Sequence, residues 1–243
     1  MSVSTYTDDE FLKKYEERAK IHKLVPFKKI TELLGDVRKK HILDLGCGTG
    51  DLTQELSEKG AVMVGADKSQ KWIDFCKNRY GSQKDLSFEL ADGVDLSKFK
   101  TATFDAVTMN MVLLNVDTID EIGKIFKEIS RVLKPEGMFI FSDLHPILKM
   151  TPKNVNRTQT NLPGFSYFKD GSQLTAKIDL DSGGFIEFTN RHWTLETLTR
   201  LLGEASLCII RISEPTYEKD APGRLKEFMI PEYILFVCKK SLK

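Results

Sequence analysis

From His41 onward, short apolar runs alternate with amphipathic stretches, and no other feature restricts the fold of this chain so tightly. Ile42-Leu43-Asp44-Leu45, Val62 to Ala66, Leu86 to Leu90, Phe104 to Met109 and Met138 to Ser142 read as strands. Helical stretches separate them. The clearest is Ile119, Ile122, Ile125, Phe126, Ile129, Val132 and Leu133, opened by a capping box from Thr118 to Glu121. Strands that alternate with helices join through right-handed crossovers into a mostly parallel sheet covered on both faces. A ligand of such a sheet lies beyond the carboxyl ends of its strands.

The flanks follow other patterns. Thr7-Asp8-Asp9-Glu10 reads as a capping box before a stripe containing Phe11, Tyr15 and Ala19. Pro26 suits a second helix start and Gly35 its end, with Phe27, Ile30, Leu33 and Leu34 between. Residues 144–193 break the rhythm: Leu174, Ala176, Ile178 and Leu180 alternate, as do Phe185 and Glu187-Phe188, across Asp181-Ser182-Gly183-Gly184. That predicts a β-hairpin inserted after the fifth strand. Helix and strand resume at Thr194 to Leu202, Cys208 to Ile212 and Ile234 to Val237.

Charge narrows the function classes. With 36 basic and 35 acidic side chains the formal net charge is +1, so no global field draws nucleic acid or an anionic membrane. No apolar run approaches the roughly 20 residues that cross a bilayer, and Met1 to Leu24 lacks the apolar centre of a signal peptide. Cys47, Cys76, Cys208 and Cys238 form no C-x-x-C pair, which argues against a zinc site or a disulfide framework. A cytoplasmic chain with reduced thiols and no metal is the expectation.

The richest turn is Leu43-Asp44-Leu45-Gly46-Cys47-Gly48-Thr49-Gly50, leading from strand to helix. Glycines there let backbone approach a ligand closely. The dinucleotide fingerprint G-x-G-x-x-G/A wants a small residue where this chain has Asp51. Asp44 and Asp51 would also repel a pyrophosphate in a partly desolvated site. A ligand bearing positive charge removes that conflict, and S-adenosylmethionine carries an ammonium and a sulfonium.

The turn resembles motif I of the class I S-adenosylmethionine-dependent methyltransferases, and the resemblance runs from about Tyr6 to Lys240. It implies an α/β, Rossmann-like fold: a mostly parallel seven-stranded sheet with helices on both faces and a small β-hairpin cap. It also implies a single domain over 1–243, with a helical lid at 1–40, a cofactor-binding core at 41–143, a substrate cap at 144–193 and a closing helix and strands at 194–243. Asp44, Gly46, Cys47, Gly48, Thr49 and Gly50 fall in the cofactor turn. Asp67, with Lys68 beside it, matches the family's acceptor of both ribose hydroxyls, a role that suits an acceptor-only carboxylate. Trp72 falls against the adenine face, Asp92 and Gly93 at the adenine amino group, and Asn110 and Met111 beneath the methionine moiety.

The acceptor is less sharply drawn. Asn110-Met111-Val112-Leu113 stands where family members that methylate DNA bases carry Asp/Asn-Pro-Pro-Tyr/Phe, so DNA is not expected as a partner. Phe141 to Pro146, the hairpin and Asn190 to Thr194 resemble small-molecule methyltransferases acting on quinone precursors and toxoflavin-like heterocycles. Phe165, Tyr167, Phe168, Phe185, Phe188 and Trp193 concentrate aromatic surface in the cap, which suits a planar acceptor. The substrate wall is therefore expected from Tyr6, Tyr15, His145, Phe165, Tyr167 and Trp193. His145 and His192 are the candidate general bases, since imidazole titrates near neutrality. In-line methyl transfer draws much of its rate from holding the partners close and dry. RNA or protein acceptors, and a non-catalytic cofactor-binding scaffold, are the competing readings; no obligate protein partner is indicated.

Overall fold

The computed structural model describes residues 13–17, 23–81, 83–147, 158–161, 165–180, 182–216 and 231–241. β1 (His41–Leu45), β2 (Val62–Asp67), β3 (Leu86–Leu90), β4 (Phe104–Asn110) and β5 (Leu133–Leu144) are parallel neighbours. β10 (Tyr233–Lys240) runs antiparallel between β5 and β9 (Leu207–Ser213). The sheet order is β3-β2-β1-β4-β5-β10-β9, seven strands with one reversed. β2 and β4 flank β1 on opposite sides, so the connections diverge there and open a crevice beyond the carboxyl ends of β1 and β4.

Helices cover both faces because both faces are apolar. α1 (Lys28–Leu34), α2 (Asp51–Glu58) and α3 (Gln70–Tyr80) bury Ile30, Leu56 and Ile73 against Ile42, Ala106 and Ile140. α4 (Ile119–Val132) and α5 (Leu195–Glu204) bury Phe126, Ile129 and Leu202 against Val107, Phe139 and Phe236. The Thr118 hydroxyl accepts from the Glu121 amide and the Glu121 side chain returns to Thr118, which is the capping box expected. Among the described residues no helix is long and apolar enough to cross a membrane.

Three sequence expectations need adjusting. Pro26 lies in a wide helical turn, Lys23–Phe27, ahead of α1, although Gly35 does end that helix at φ 64°. β5 begins at Leu133, earlier than its apolar run suggested, because Leu133 pairs with Phe104 across an irregularity. The cap is a three-stranded antiparallel sheet: β7 (Gln173–Asp179) and β8 (Phe185–Arg191) form the hairpin, and β6 (Thr158–Asn161) adds to β7. Tyr6, the Thr7 to Glu10 box, Phe11 and Ala19 lie outside the described residues.

Candidate functional site

The glycine turn closes β1 onto α2, and its backbone donors are largely committed to protein. Gly46 and Cys47 donate to the Ala66 carbonyl at 2.7 and 3.0 Å, and Gly50 donates to Cys47 at 2.9 Å. Gly48 donates to Asp67 Oδ2 at 3.1 Å. A diphosphate cradle needs amides directed at the ligand, and four of this turn are spent elsewhere. Gly46, Gly48 and Gly50 all take positive φ (73°, 50° and 72°), the left-handed region that glycine enters without a Cβ penalty. A Cβ on Gly48 would meet nothing within 4 Å, so the turn presents open space at that point. A Cβ on Gly50 would sit 2.8–2.9 Å from Cys76, Phe88 and Tyr80, and one on Gly46 would collide with Val112.

Asp44 lies beneath the turn, 2% exposed. Its oxygens accept from the hydroxyls of Thr53 (2.7 Å) and Thr108 (2.9 Å), the latter its register partner on β4. Burial raises its pKa to about 6 against the opposing pull of those two hydroxyls, with the charge of Asp67 adding to the rise. Asp44 is therefore a buried carboxylate beneath the turn, held by two hydroxyls. Asp51 is held at the start of α2 by Thr49 Oγ1 (2.7 Å) and the Tyr80 hydroxyl (3.0 Å). The Thr49 side chain is consequently turned inward, while Cys47 is half-buried beneath the turn.

Asp67 ends β2 with Oδ1 accepting from Ser69 N at 2.9 Å. Burial pushes its pKa up, opposed by the amides of Ser69 and Gly48. Lys68 beside it is exposed. Asp67 is paired in register with Leu90, so Asp92 follows at the neighbouring strand end. Asp92 is exposed, with Oδ1 accepting from Val94 N at 3.2 Å. Gly93 serves packing instead: a Cβ there would stand 3.2 Å from Ile125. Trp72 is 9% exposed, with Tyr15 against its ring at 5.2 Å and Phe75 at 5.9 Å. The Tyr15–Trp72 pair, not Trp72 alone, borders that end of the crevice.

On the other side of the crevice, Asn110 Oδ1 accepts from Ser142 Oγ at 2.5 Å and Met111 N donates to the Ser142 carbonyl at 3.1 Å. Met111 has φ 57°, which for a non-glycine residue marks an enforced turn at the end of β4. His145 stands just past β5. Its Nδ1 accepts from Ile147 N at 3.1 Å, so Nε2 carries the proton and donates to Glu214 at 2.8 Å.

Two expected site residues take other roles. His192 is fully buried, with Nε2 donating to the Tyr167 carbonyl at 2.9 Å and the rings of Phe165 and Tyr167 at 5.2 and 5.1 Å. Its full burial against the cap keeps the ring from the surface of the crevice. Trp193 is 3% exposed in the main core and donates Nε1 to the Leu113 carbonyl at 2.8 Å. It anchors the cap and does not wall a substrate. Arg191 adds a second anchor through Asp117 Oδ1 at 2.6 Å. Phe165 and Tyr167 gather on the His192 ring at the base of the cap. An open groove lined by Asp95, Lys124, Lys127 and Arg131 lies away from the glycine turn. Its Arg131 is already committed to Glu128 and to the carbonyls of Leu96 and Phe99.

Sequence reasoning missed Thr53, Thr108, Ser142 and Glu214. An aspartate inside the apolar run Ile42 to Leu45 does signal buried partners, but which hydroxyls supply them depends on strand neighbours.

Part of the chain is similar to known proteins. Residues 43–141 match the family described as "Methyltransferase domain". The Bacillus subtilis protein YqeM is 36% identical over 113 residues, 46% of this chain and 45% of that one. A demethylmenaquinone methyltransferase of Leptospira interrogans is 38% identical over 110 residues, 43% of each chain. The chain thus spans less than half the length of these relatives. The crystal structure of an S-adenosylmethionine-dependent methyltransferase from Mesorhizobium loti has the same fold, with a TM-score of 0.63 and 22% identity over 88% of this chain and 95% of that one.

Proposed function

We propose that this chain, whose residues 43–141 match a methyltransferase domain and whose fold is that of an S-adenosylmethionine-dependent methyltransferase, transfers a methyl group from that cofactor to N or O of a small aromatic or heterocyclic metabolite. The observation that carries it is the glycine turn: its amides are spent on protein, open space lies over Gly48, and carboxylates stand beneath and beside it. Such a turn suits a cationic ligand with hydroxyls and disfavours a diphosphate. When bound, the cofactor supplies an activated methyl on sulfur.

The chain's own residues hold and exclude. Asp67 accepts the ribose hydroxyls, Asp92 the adenine amino group, and buried Asp44 favours the ammonium and sulfonium through space. Asn110 and Met111, fixed by Ser142, form the floor beyond the sulfur. The aromatic cap, anchored through Trp193 and Arg191, closes over the acceptor. The imidazoles of His145 and His192 both bond protein groups, so the acceptor enters already nucleophilic, as an acidic hydroxyl or a ring nitrogen does. His145, oriented by Glu214, lines the acceptor end as a polar wall. The name of the Leptospira relative supports quinone precursors as the acceptor class.

Calorimetric titration with S-adenosylhomocysteine and with NAD tests the cofactor. Binding of the former and none of the latter is expected, and the reverse would refute the reading. Transfer of tritiated methyl to catechols, quinols or heterocycles, measured beside bulk RNA and protein, tests the acceptor class; label appearing only in RNA or protein would reject the small molecule.

A further inference from the structure

The helical residues 13–17 touch both walls of the crevice. Toward the cofactor end, the Tyr15 ring lies 5.2 Å from Trp72, and Arg79 Nη1 donates to Glu16 Oε1 at 2.6 Å. Toward the cap, Tyr15 meets Phe188 edge-on at 6.2 Å and Ser182 N donates to Glu17 Oε1 at 3.1 Å. Tyr15 and Phe188 also pack on Leu180 and Ile186, the small apolar cluster beneath the cap hairpin.

The cofactor side of this strap continues into the glycine turn. Arg79 Nη2 stands 3.7 Å from Asp51 Oδ1, and Asp51 Oδ2 accepts from Thr49 at 2.7 Å. The Arg79 guanidinium lies over the rings of Phe75 and Tyr80, which limits where it can go. One contiguous path therefore runs from Thr49 through Asp51, Arg79 and the strap to Phe188. A contiguous path couples two sites only when its members move together. Here a short helical segment, held on each side by a ring contact and a hydrogen bond, cannot follow one wall without pulling on the other.

We propose that Tyr15 is a positioning residue that couples occupancy of the glycine turn to docking of the cap, so that the acceptor chamber closes only on a chain already holding its methyl donor. This rests on the methyl-transfer reading above. A donor-first order would keep acceptor out of a cleft that cannot react, and it needs no contact between Tyr15 and either reactant.

Amide hydrogen exchange read by mass spectrometry, with and without saturating S-adenosylhomocysteine, tests this in the full chain. In the wild type the ligand should slow exchange in residues 46–50 and also in β7 and β8, by about tenfold or more where opening is local. In Tyr15→Ala the protection of 46–50 should remain while β7 and β8 become indifferent to ligand. Tyr15→Phe should restore the response, and Phe188→Ala should abolish it from the opposite side if Tyr15→Ala does not fold. Cap protection that persists in Tyr15→Ala, or a wild-type cap that ignores bound ligand, would overturn the coupling alone. Absence of any protection at 46–50 would instead reject the cofactor reading, and the coupling with it.

Discussion

Thr108 on β4 donates its hydroxyl to Asp44 on β1 at 2.9 Å, directly across the strand pair, and with Thr53 it satisfies a carboxylate that the sheet buries beneath the glycine turn. The pair shows how the site combines charge with enclosure. Water is excluded from Asp44, and two neutral donors stand in for it. The result is a buried carboxylate whose ionised form burial disfavours and the two hydroxyls support.

That arrangement makes folding stability depend on pH. The pKa of Asp44 rises from 3.8 to about 6 on folding. A raised acid favours the fold while protonated, so its contribution is complete below pH 4 and fades as pH climbs to and beyond 6. The shift corresponds to ~3 kcal/mol. Asp44→Asn, whose amide can still bond both threonines, should lack this slope. Urea unfolding of both proteins from pH 4 to 7.5 should show the wild type losing up to about 3 kcal/mol relative to the variant; parallel curves would mean Asp44 does not titrate in this range.

Cofactor affinity should move in the opposite direction with pH. A cationic ligand prefers ionised Asp44, and ribose hydroxyls prefer ionised Asp67, whose pKa burial also raises. Dissociation constants for S-adenosylmethionine should therefore fall between pH 5 and 7 and then level. Calorimetry across that range checks it, and a flat profile would contradict the electrostatic role.

Asp67→Ala should weaken S-adenosylhomocysteine binding by about 1.5–3 kcal/mol, the range for hydrogen bonds to charged groups. Part of the loss comes through Gly48, whose amide bonds Asp67 in the free chain. An unchanged dissociation constant in a folded variant would dismiss the ribose assignment.

The glycines should separate into two kinds. Gly50→Ala places a methyl group 2.8–2.9 Å from buried Cys76, Phe88 and Tyr80 at φ 72°. It should cost roughly 2–5 kcal/mol of stability from strain and overpacking together. Gly48→Ala meets no protein atom within 4 Å, so about 1–2 kcal/mol of backbone strain is expected, with the larger effect on cofactor affinity. Thermal melts beside titrations would distinguish them, and equal melting losses would put the open space elsewhere.

Trp193→Phe keeps an aromatic ring, though a smaller one, but leaves the Leu113 carbonyl without its donor, which should lower stability by about 1–3 kcal/mol. Because that bond ties the cap to the turn after β4, exchange protection in β8 should fall as well. A variant as stable as the wild type would show that the anchor is dispensable.

Much of this protein was legible before any coordinates. The period-2 and period-3.6 runs named the strands and helices of the core, because each element must bury one face whatever its neighbours. Three left-handed glycines between strand and helix, and aspartates at successive strand ends, marked the ligand turn. The histidines and tryptophans were a different matter. His145, His192, Trp72 and Trp193 have the same chemistry whether they face a ligand or a core, and nothing local separates the two fates.

Sequence alone determined the layered α/β architecture and the sign of charge at the turn, since both follow from residue type and short-range spacing. Tertiary structure alone decided who meets whom. Thr108 with Asp44, Glu214 with His145 and Tyr15 between Trp72 and Phe188 lie far apart along the chain. Such contacts are set by strand order and loop closure, which no local pattern encodes.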